Sequence, residues 1–292
     1  MVATILERYG PLQGFYGWDI NGLKHMELEI YQVDAFASQV FNGNPAAVMP
    51  LTKWLPDETL QCIAMENNVA ETAFFIPVEN GYQLRWFTPA VEVDLCGHAT
   101  LASAHVLFEH LAFKGDVIAF HTRSGELRVT RGKDGLTLDF PAATMESTPV
   151  NSNICRALGS SVDAIGAVIA SDNPHAVVYV FASEREVADL SPSSADLLAA
   201  SDYSVIATAP GDHCDFVSRF FGPHVGLDED PVTGSAHCSL VPYWADQLGS
   251  TTFKARQIST RGGDLSCELR NGRVFMTGRG ITFMRGTVYL PG

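Results

Sequence analysis

Residues 85–94 read RWFTPAVEVD, and residues 219–228 read RFFGPHVGLD. An arginine, two aromatic residues, a proline, a valine and an aspartate recur at the same offsets, 134 residues apart. A second match joins GNPAAV at 43–48 to DNPHAV at 172–177, which lie 129 residues apart. Self-similarity at a nearly fixed spacing indicates a repeated structural unit.

The repeat predicts two halves, residues 26–145 and 146–292, which we interpret as a duplicated domain. The polar segment 143–153 (ATMESTPVNSN) is the expected linker between them. Residues 1–25 differ in composition from the strand pattern MELEIYQVDAF that begins at Met26, and we interpret them as an N-terminal extension.

Each half combines short strand patterns with one long helix pattern. The two helices begin near Cys96 (CGHATLASAHVLFEHL) and Thr233 (TGSAHCSLVPYWADQL), in both cases just before a glycine. Apolar residues occupy most sides of both helices, which indicates that each helix is buried. We therefore expect an α+β fold of two pseudo-symmetric domains, in each of which a barrel-like sheet surrounds a central helix.

The composition argues against several classes of protein. The 292 residues carry a formal net charge of −14, which would repel a nucleic acid. No apolar stretch approaches the ~20 residues of a membrane span, and the N-terminal residues lack the basic start and apolar middle of a signal peptide. The six cysteines form no CxxC pair and no zinc-ligand spacing, so we expect no metal and a reducing, cytoplasmic location. No phosphate-cradling GxxxxGK motif occurs, and no cofactor is expected.

The starts of the two helices form the predicted ligand site. A helix start carries about four unpaired N–H donors and a partial positive charge, which favour a carboxylate or an oxyanion. The small residues of 97–99 and 234–236 let a ligand approach this backbone. If the two domains meet face to face, both helix starts line one closed, poorly hydrated crevice that binds a small anionic metabolite.

Three acids, Asp228, Glu229 and Asp230, precede the second helix. They can serve as helix caps or as favourable partners of the helix dipole. A carboxylate at the rim of a dry crevice can instead move a proton. Asp230 is the strongest candidate of the three, because the comparison of the two copies places it in a three-residue insertion.

Glu71 lies in ENNVAETAFF at the start of an apolar strand pattern, and its expected counterpart in the second half is near Ala207. A glutamate in such a place is costly to bury unless it is hydrogen-bonded or functional. Burial would raise its pKa toward the range of a general acid or base. A capping or salt-bridged glutamate is the alternative interpretation.

Two further candidates lie at the first helix start. His98 is expected to stay neutral there, so that its imidazole can donate to a substrate oxygen or relay a proton; a structural histidine is the alternative. Cys96 lies where thiolate character is encouraged. Its counterpart is Thr233, so a mechanism with one thiol on each face of the substrate lacks one of its two groups. His175 and His237 are weaker candidates for residues beside the crevice.

The motifs FNGNPAAV, ETAFF, RWFTP, DLCGHATLASA and DPVTGSA, in this order, resemble the PhzF-like family of phenazine-biosynthesis type, from about Met26 to near the C-terminus. That family is similar in fold to diaminopimelate epimerase. The resemblance implies two domains, each a β-barrel closed around a central helix, with the site in the cleft between them. It also implies a cofactor-independent isomerase, because the namesake reaction is a proton or hydrogen shift on a dihydro-3-hydroxyanthranilate framework.

By motif match, the resemblance implies an acid/base role for Glu71, with His98, Asp230 and Ser235 in support. The expected substrate contacts combine the two helix starts with Asn173, which the resemblance implies, and with Asn44, its copy in the first half of the repeat. These contacts are Asn44, Cys96, Gly97, Ala99, Asn173, Thr233, Gly234 and Ala236. The epimerase relatives use two cysteines; Cys96 matches the first, whereas Thr233 stands in place of the second.

The sequence therefore predicts an isomerase that shifts a proton on a small carboxylate-bearing metabolite, and the resemblance to the family suggests a homodimer. Two alternatives stay open. One is a one-thiol epimerase or dehydratase in which Cys96 is the base, and the other is a non-catalytic binding protein on the same fold.

Overall fold

The computed structural model describes residues 16–18, 24–172 and 175–291, and the side chains of this part of the chain from Met26 onward. The strands are β1 (Tyr16–Trp18), β2 (Lys24–Ala35), β3 (Asn44–Pro50), β4 (Glu71–Val78), β5 (Gly81–Phe87), β6 (Glu92–Val93), β7 (Val117–Thr122), β8 (Gly125–Arg131), β9 (Leu136–Pro141), β10 (Met145–Ser147), β11 (Ala167–Asp172), β12 (His175–Val180), β13 (Ser204–Pro210), β14 (Phe216–Gly222), β15 (Leu227–Asp230), β16 (Thr252–Gln257), β17 (Gly263–Arg270), β18 (Arg273–Gly278) and β19 (Gly280–Pro291). The helices are α1 (Asp57–Asn67), α2 (Gly97–Glu109), α3 (Ser152–Ala157), α4 (Glu184–Ala188), α5 (Ser194–Ala200) and α6 (His237–Leu248). Short 3-10 turns cover Val162–Ala164 and Pro223–Val225.

The strands of each half pair in the same order. In the first half the strand pairs are, in order, β2–β3 antiparallel, β3–β4 parallel, β4–β5 antiparallel, β5–β7 parallel, β7–β8 antiparallel and β8–β9 antiparallel. The pairs β11–β12, β12–β13, β13–β14, β14–β16, β16–β17 and β17–β18 repeat this series in the second half. The predicted α+β fold of two pseudo-symmetric domains is confirmed.

Three further pairings join the halves. β9 pairs with β18, which makes the two sheets continuous. β10 follows the first half in the chain but pairs with β11 of the second half, whereas β19 follows the second half and pairs with β2 of the first. The segment 143–153, predicted as a linker, therefore contains strand β10. The boundary between residues 145 and 146 stays a prediction.

The two central helices are buried at their starts. α2 packs against β2, β3 and β4 and buries every residue except His105 and Glu109. α6 packs against β17 and β18 and is buried from His237 to Val241, while its far end at Leu248 is exposed. Both helix starts therefore lie inside the molecule. Within the described ranges, no helix has the length and apolar character that a membrane crossing requires.

An ion pair of the same geometry stabilises both copies of the repeat. Arg85 Nε and Nη2 lie 2.7 and 2.8 Å from the two carboxylate oxygens of Glu92, and Arg219 and Glu229 show the same two distances. Paired bonds of this kind fix the geometry of both groups. Glu229, for which a helix-cap role was one expectation, is thus part of the scaffold in β15.

The register of β15 corrects the predicted position of the insertion. Asp230 pairs with Phe220, as Val93 pairs with Trp86 in the first half. Asp230 therefore corresponds to Val93, and the three extra residues lie between Phe221 and Glu229. The prediction that Asp230 belongs to the insertion is wrong, because the pairing of Asp230 with Phe220 repeats that of Val93 with Trp86.

The counterpart of Glu71 also differs from the expectation. Thr72 pairs with Phe87, the last residue of RWF, and Val205 pairs with Phe221, the last residue of RFF. The residues that precede them, Glu71 and Ser204, are therefore equivalent, and the expectation of a counterpart near Ala207 is wrong. The second half still has no acid at this position.

Candidate functional site

Glu71 and His98 form the centre of a buried polar cluster. Glu71 is the first residue of β4, and His98 is the second residue of α2, which packs against β4. The Glu71 Oε2 and His98 Nε2 atoms lie 3.0 Å apart, and the two residues are 7% and 3% exposed. Although these atoms are within ion-pair distance, neither makes an aligned hydrogen bond to a described residue. Because buried polar atoms are normally hydrogen-bonded, this exception marks a candidate functional site.

Asn44, the first residue of β3, connects the two halves. Its Nδ2 atom lies 2.7 Å from Asp230 Oδ1, 2.9 Å from the Val232 carbonyl oxygen and 3.1 Å from His98 Nδ1. An amide nitrogen has only two hydrogens, and we assign them to the two shorter contacts. His98 Nδ1 is then left to share a hydrogen with Cys96 Sγ, which lies 3.5 Å away.

Gln257, which the sequence analysis did not identify, holds the turn from Asp230 to Thr233. The Thr233 hydroxyl donates to the second Asp230 carboxylate oxygen. Gln257 Oε1 accepts a bond from the Thr233 backbone N–H at 2.8 Å, and its Nε2 donates to the Asp230 carbonyl at 2.7 Å. The one available signal was the glutamine at an inward-facing position of the alternating strand TFKARQ, where it is fully buried.

Burial sets the protonation of Asp230 and Cys96. Burial, with some help from the charge of Glu71, raises the pKa of Asp230 to about 6; His98 and two hydrogen-bond donors oppose this rise. Burial also raises the pKa of Cys96 to about 11, so this side chain is a thiol at neutral pH. The thiolate that the helix start was expected to encourage is thus disfavoured.

His98 differs from its sequence-based expectation. Burial lowers its pKa, but the charges of Cys96 and Glu71 beside the ring raise the pKa well above its ordinary value. Because the Cys96 thiol is protonated at neutral pH, the adjacent Glu71 carboxylate is the cause that we retain. The expectation of a neutral His98 is wrong, since a carboxylate at 3.0 Å outweighs the helix dipole that disfavours a cation here.

The two helix starts face each other. A Cβ atom added to Gly97 would lie 3.4 Å from the Cα atom of Gly234. The first helical bond of α2 is donated by Thr100, so the N–H groups of residues 97–99 have no partner within the helix. Residues 234–236 form a turn that precedes α6 rather than its first regular turn.

The remaining predicted residues occupy different surroundings. Ser235 is partly exposed, and no hydrogen bond within the described ranges ties its side chain to the cluster. Asn173 lies outside the described residues. His175 is exposed on β12. His237 is buried, and its Nδ1–H donates to the Thr233 carbonyl at 3.0 Å. Burial lowers the pKa of His237 to about 4, so it supports the turn as a neutral ring.

The cluster does not have the arrangement of a metal site. The potential ligand atoms of Glu71, Cys96 and His98 lie within 4.8 Å of one another. However, Cys96 Sγ faces Nδ1 of the imidazole, whereas Glu71 Oε2 faces Nε2. The two ring nitrogens direct their lone pairs apart, so one ion cannot bind all three groups in this arrangement. The predicted absence of a metal and of a cofactor stays a prediction.

Comparison with solved structures places the fold in a known class. A crystal structure of a phenazine biosynthesis protein of the PhzF family from Enterococcus faecalis matches with a TM-score of 0.86 and 44% identity, covering 91% of this chain and 100% of that chain. A hydroxyproline epimerase from Agrobacterium vitis matches with a TM-score of 0.60, covering 91% and 93% of the two chains; at 12% identity this likeness concerns the fold alone. The fold is therefore that of the PhzF and epimerase class.

Sequence comparison gives the family. Residues 33–286 match the family model described as phenazine biosynthesis-like protein. An uncharacterized isomerase of Pseudomonas aeruginosa is 50% identical over 265 residues, which cover 91% of this chain and 100% of that protein. The phenazine biosynthesis-like domain-containing protein of Homo sapiens is 38% identical over 288 residues, which cover 90% and 99%. The chain belongs to the phenazine biosynthesis-like protein family, as its motifs predict.

Proposed function

We propose that the protein is a cofactor-independent isomerase that moves a proton between two carbons of a small carboxylate-bearing metabolite, in the cleft between its halves. One observation carries the proposal: the buried Glu71 carboxylate and His98 present two atoms 3.0 Å apart that lack aligned hydrogen bonds. The relatives named as uncharacterized isomerases support the same class of reaction.

Glu71 is the acid/base in this proposal. Its carboxylate removes a proton from a carbon beside an electron-withdrawing group, which takes up the electron pair of the broken C–H bond. The protonated Glu71 then returns the proton to another carbon of the same framework. One C–H bond breaks and one forms, so the reaction consumes no oxidant and no reductant. General acid–base catalysis of this kind contributes about 10²–10⁴ in rate.

The two helix starts bind the carboxylate and the negative charge that develops. In this proposal the N–H groups of residues 97–99 and 234–236 donate to the substrate, and each donor placed at the developing charge is worth roughly 3–4 kcal/mol. Cationic His98 adds a positive charge beside Glu71. Asp230 and Ser235 orient the substrate, and in this proposal Ser235 binds it from the partly exposed side of the turn.

A one-thiol epimerase or dehydratase is the second candidate, because Cys96 Sγ lies 3.5 Å from His98 Nδ1 in the same cluster. The raised pKa of Cys96 argues against a thiolate base. The Thr233 hydroxyl is engaged by Asp230 and therefore makes a poor second base. A non-catalytic binding protein, a homodimer and a cytoplasmic location stay predictions.

Solvent-deuterium exchange into candidate hydroxy and amino acids, followed by NMR, tests the proposal. We expect exchange by the wild-type chain, and we expect Glu71→Gln to abolish it while ligand binding persists, because the amide cannot accept the proton. Cys96→Ala should keep most of the exchange. Full exchange by Glu71→Gln, together with its loss in Cys96→Ala, would reject the proposal in favour of the one-thiol mechanism.

A further inference from the structure

A side chain from β16 contacts the turn that carries Asp230 and Thr233. Gln257 makes two backbone bonds to this turn, and its Nε2 atom also lies 3.2 Å from Thr233 Oγ1. Gln257 is completely buried, so its whole amide group is committed to this contact. A buried amide of this kind is costly unless its hydrogen bonds serve the structure or the site.

The first half folds the equivalent turn without such an amide. Thr122 corresponds to Gln257, because each is the last residue of the equivalent strands β7 and β16. The Thr122 hydroxyl donates to the Gly125 carbonyl at 2.7 Å, within its own hairpin. In the turn itself, the first half has Val93 and Cys96 at the positions where the second half has Asp230 and Thr233. The three polar residues therefore form a unit of the second half alone.

A bond present in both halves secures the shape of the turn. Ser124 Oγ donates to the Asp94 carbonyl at 2.7 Å, and Ser259 Oγ donates to the Pro231 carbonyl at 2.7 Å. These serines occupy equivalent hairpins, and the carbonyls belong to equivalent positions of the turn. Because the serine bond is repeated and the amide is not, the fold does not require Gln257 for the shape of the turn.

We propose that Gln257 is a positioning residue that fixes the Asp230 carboxylate and the Thr233 hydroxyl for the reaction proposed above, on which this inference rests. The Gln257 amide hydrogen occupies a lone pair of the hydroxyl oxygen, so the hydroxyl hydrogen is directed to Asp230. The bond from the Thr233 N–H to Oε1 holds the other end of the turn.

This arrangement has an electrostatic consequence for Asp230. The groups that face its carboxylate from the packed elements are Asn44 on β3, His98 on α2 and Glu71 on β4. Hydrogen bonds from Asn44 and from the threonine favour the charged carboxylate, whereas Glu71 disfavours it. Loss of the glutamine frees the threonine hydroxyl to rotate, which should raise the pKa of Asp230 further above its ordinary value.

The test is a titration of the Asp230 carboxyl by ¹³C NMR in the full chain, with its signal assigned by its absence in Asp230→Asn. Gln257→Met matches the glutamine in size but has no donor, and we expect the Asp230 midpoint to rise by roughly one pH unit. Gln257→Glu keeps an acceptor for the Thr233 N–H and should raise the midpoint as well. Ser124→Ala removes the turn bond of the first half and should leave the midpoint unchanged.

Solvent-deuterium exchange on the same variants separates this inference from the proposed function. A raised midpoint together with exchange reduced about a hundredfold supports both, because a small misplacement of a site group has an effect of this size. No exchange by the wild-type chain, with a raised midpoint in the variants, would contradict the proposed function alone. The inference would be overturned if both Gln257 variants left the Asp230 midpoint unchanged, if both left the exchange unchanged, or if both failed to fold.

Discussion

The two halves of the molecule share a scaffold and differ at the site. Both carry the arginine–glutamate pair, the serine bond to the turn carbonyl and a glycine at the helix start. The equivalent positions that differ include Glu71 and Ser204, Val93 and Asp230, Cys96 and Thr233, His98 and Ser235, and Thr122 and Gln257. The two halves therefore share the residues of the scaffold and differ where, in the proposed function, they face a common ligand.

This difference divides the chemistry between the halves. In the proposed function, the first half supplies the acid/base and its cationic neighbour, whereas the second half supplies a hydrogen-bonded carboxylate on a fixed turn. Asn44 joins the two sets, because its amide belongs to the first half and donates to Asp230 of the second. Matched substitutions at equivalent positions therefore test the division directly.

The largest expected effect on activity is at the equivalent positions Glu71 and Ser204. Glu71→Gln should lower kcat by about 10²–10⁴, because it removes the proton-transfer group, while ligand affinity changes little. Ser204→Ala, at the equivalent buried position of the second half, should keep kcat close to the wild-type value. Steady-state kinetics on the substrate found by deuterium exchange provide the measurement. Equal losses in both variants would contradict the division between the halves.

The repeated ion pairs should differ in their contribution to stability. Arg219→Met should lower the free energy of unfolding by about 2–3 kcal/mol, because Glu229 loses its arginine and two backbone carbonyls lose the same donor. Arg85→Met should cost about 1 kcal/mol, because Glu92 keeps an ion pair with Arg123 at 2.7 Å. Urea unfolding of both variants measures the difference, and the reverse order would show that the scaffold is not equivalent in the way described.

The smallest expected effect concerns Asp230, which occupies the position equivalent to Val93 of the first half. Burial raises the pKa of Asp230 from 3.8 to about 6 in the folded protein. The charged carboxylate therefore destabilises the fold at pH values above 6, whereas below about pH 4 the carboxyl group is neutral and has no such effect. This shift corresponds to about 3 kcal/mol, and the loss of one of the hydrogen bonds that Asp230 accepts from Asn44 and Thr233 offsets part of it, so Asp230→Asn should stabilise the protein at pH 8 by about 1–2 kcal/mol. This gain should shrink as the pH falls from 6 to 4. Urea unfolding at pH 8, 6 and 4 checks this, with the exposed Asp228→Asn as a control that changes little. A gain independent of pH would contradict the assignment.

The repeat in the sequence was sufficient to predict the fold. Equivalent motifs at a spacing near 130 residues imply equivalent strand pairings, and the apolar helices after Cys96 and Thr233 imply two buried centres. The exchange of β10 and β19 between the halves could not be predicted, because strand patterns do not reveal their partners. The predicted position of the insertion was wrong for a related reason, because only the pairing of Asp230 with Phe220 shows that the extra residues precede Glu229.

The candidate site could be predicted in part. Glu71, His98, Asn44 and Asp230 lie together, because Asn44 and Glu71 begin paired strands, His98 lies at the start of the helix packed on them, and Asp230 precedes the second helix start that faces the first. Gln257 could not be predicted, because one inward-facing glutamine in a strand has no motif. The protonation of His98 required three-dimensional information as well, since the carboxylate that decides it is 27 residues away in the chain and 3.0 Å away in space.

The exchange of β19 also has a consequence for synthesis. This strand leaves the ribosome after every other described strand, yet it covers β2, which leaves near the beginning. The long edge of β2 therefore stays open during translation and is available to pair with neighbouring nascent chains. A chain that terminates before Gly280 would keep that edge permanently, so premature stops should produce aggregates rather than a working first half.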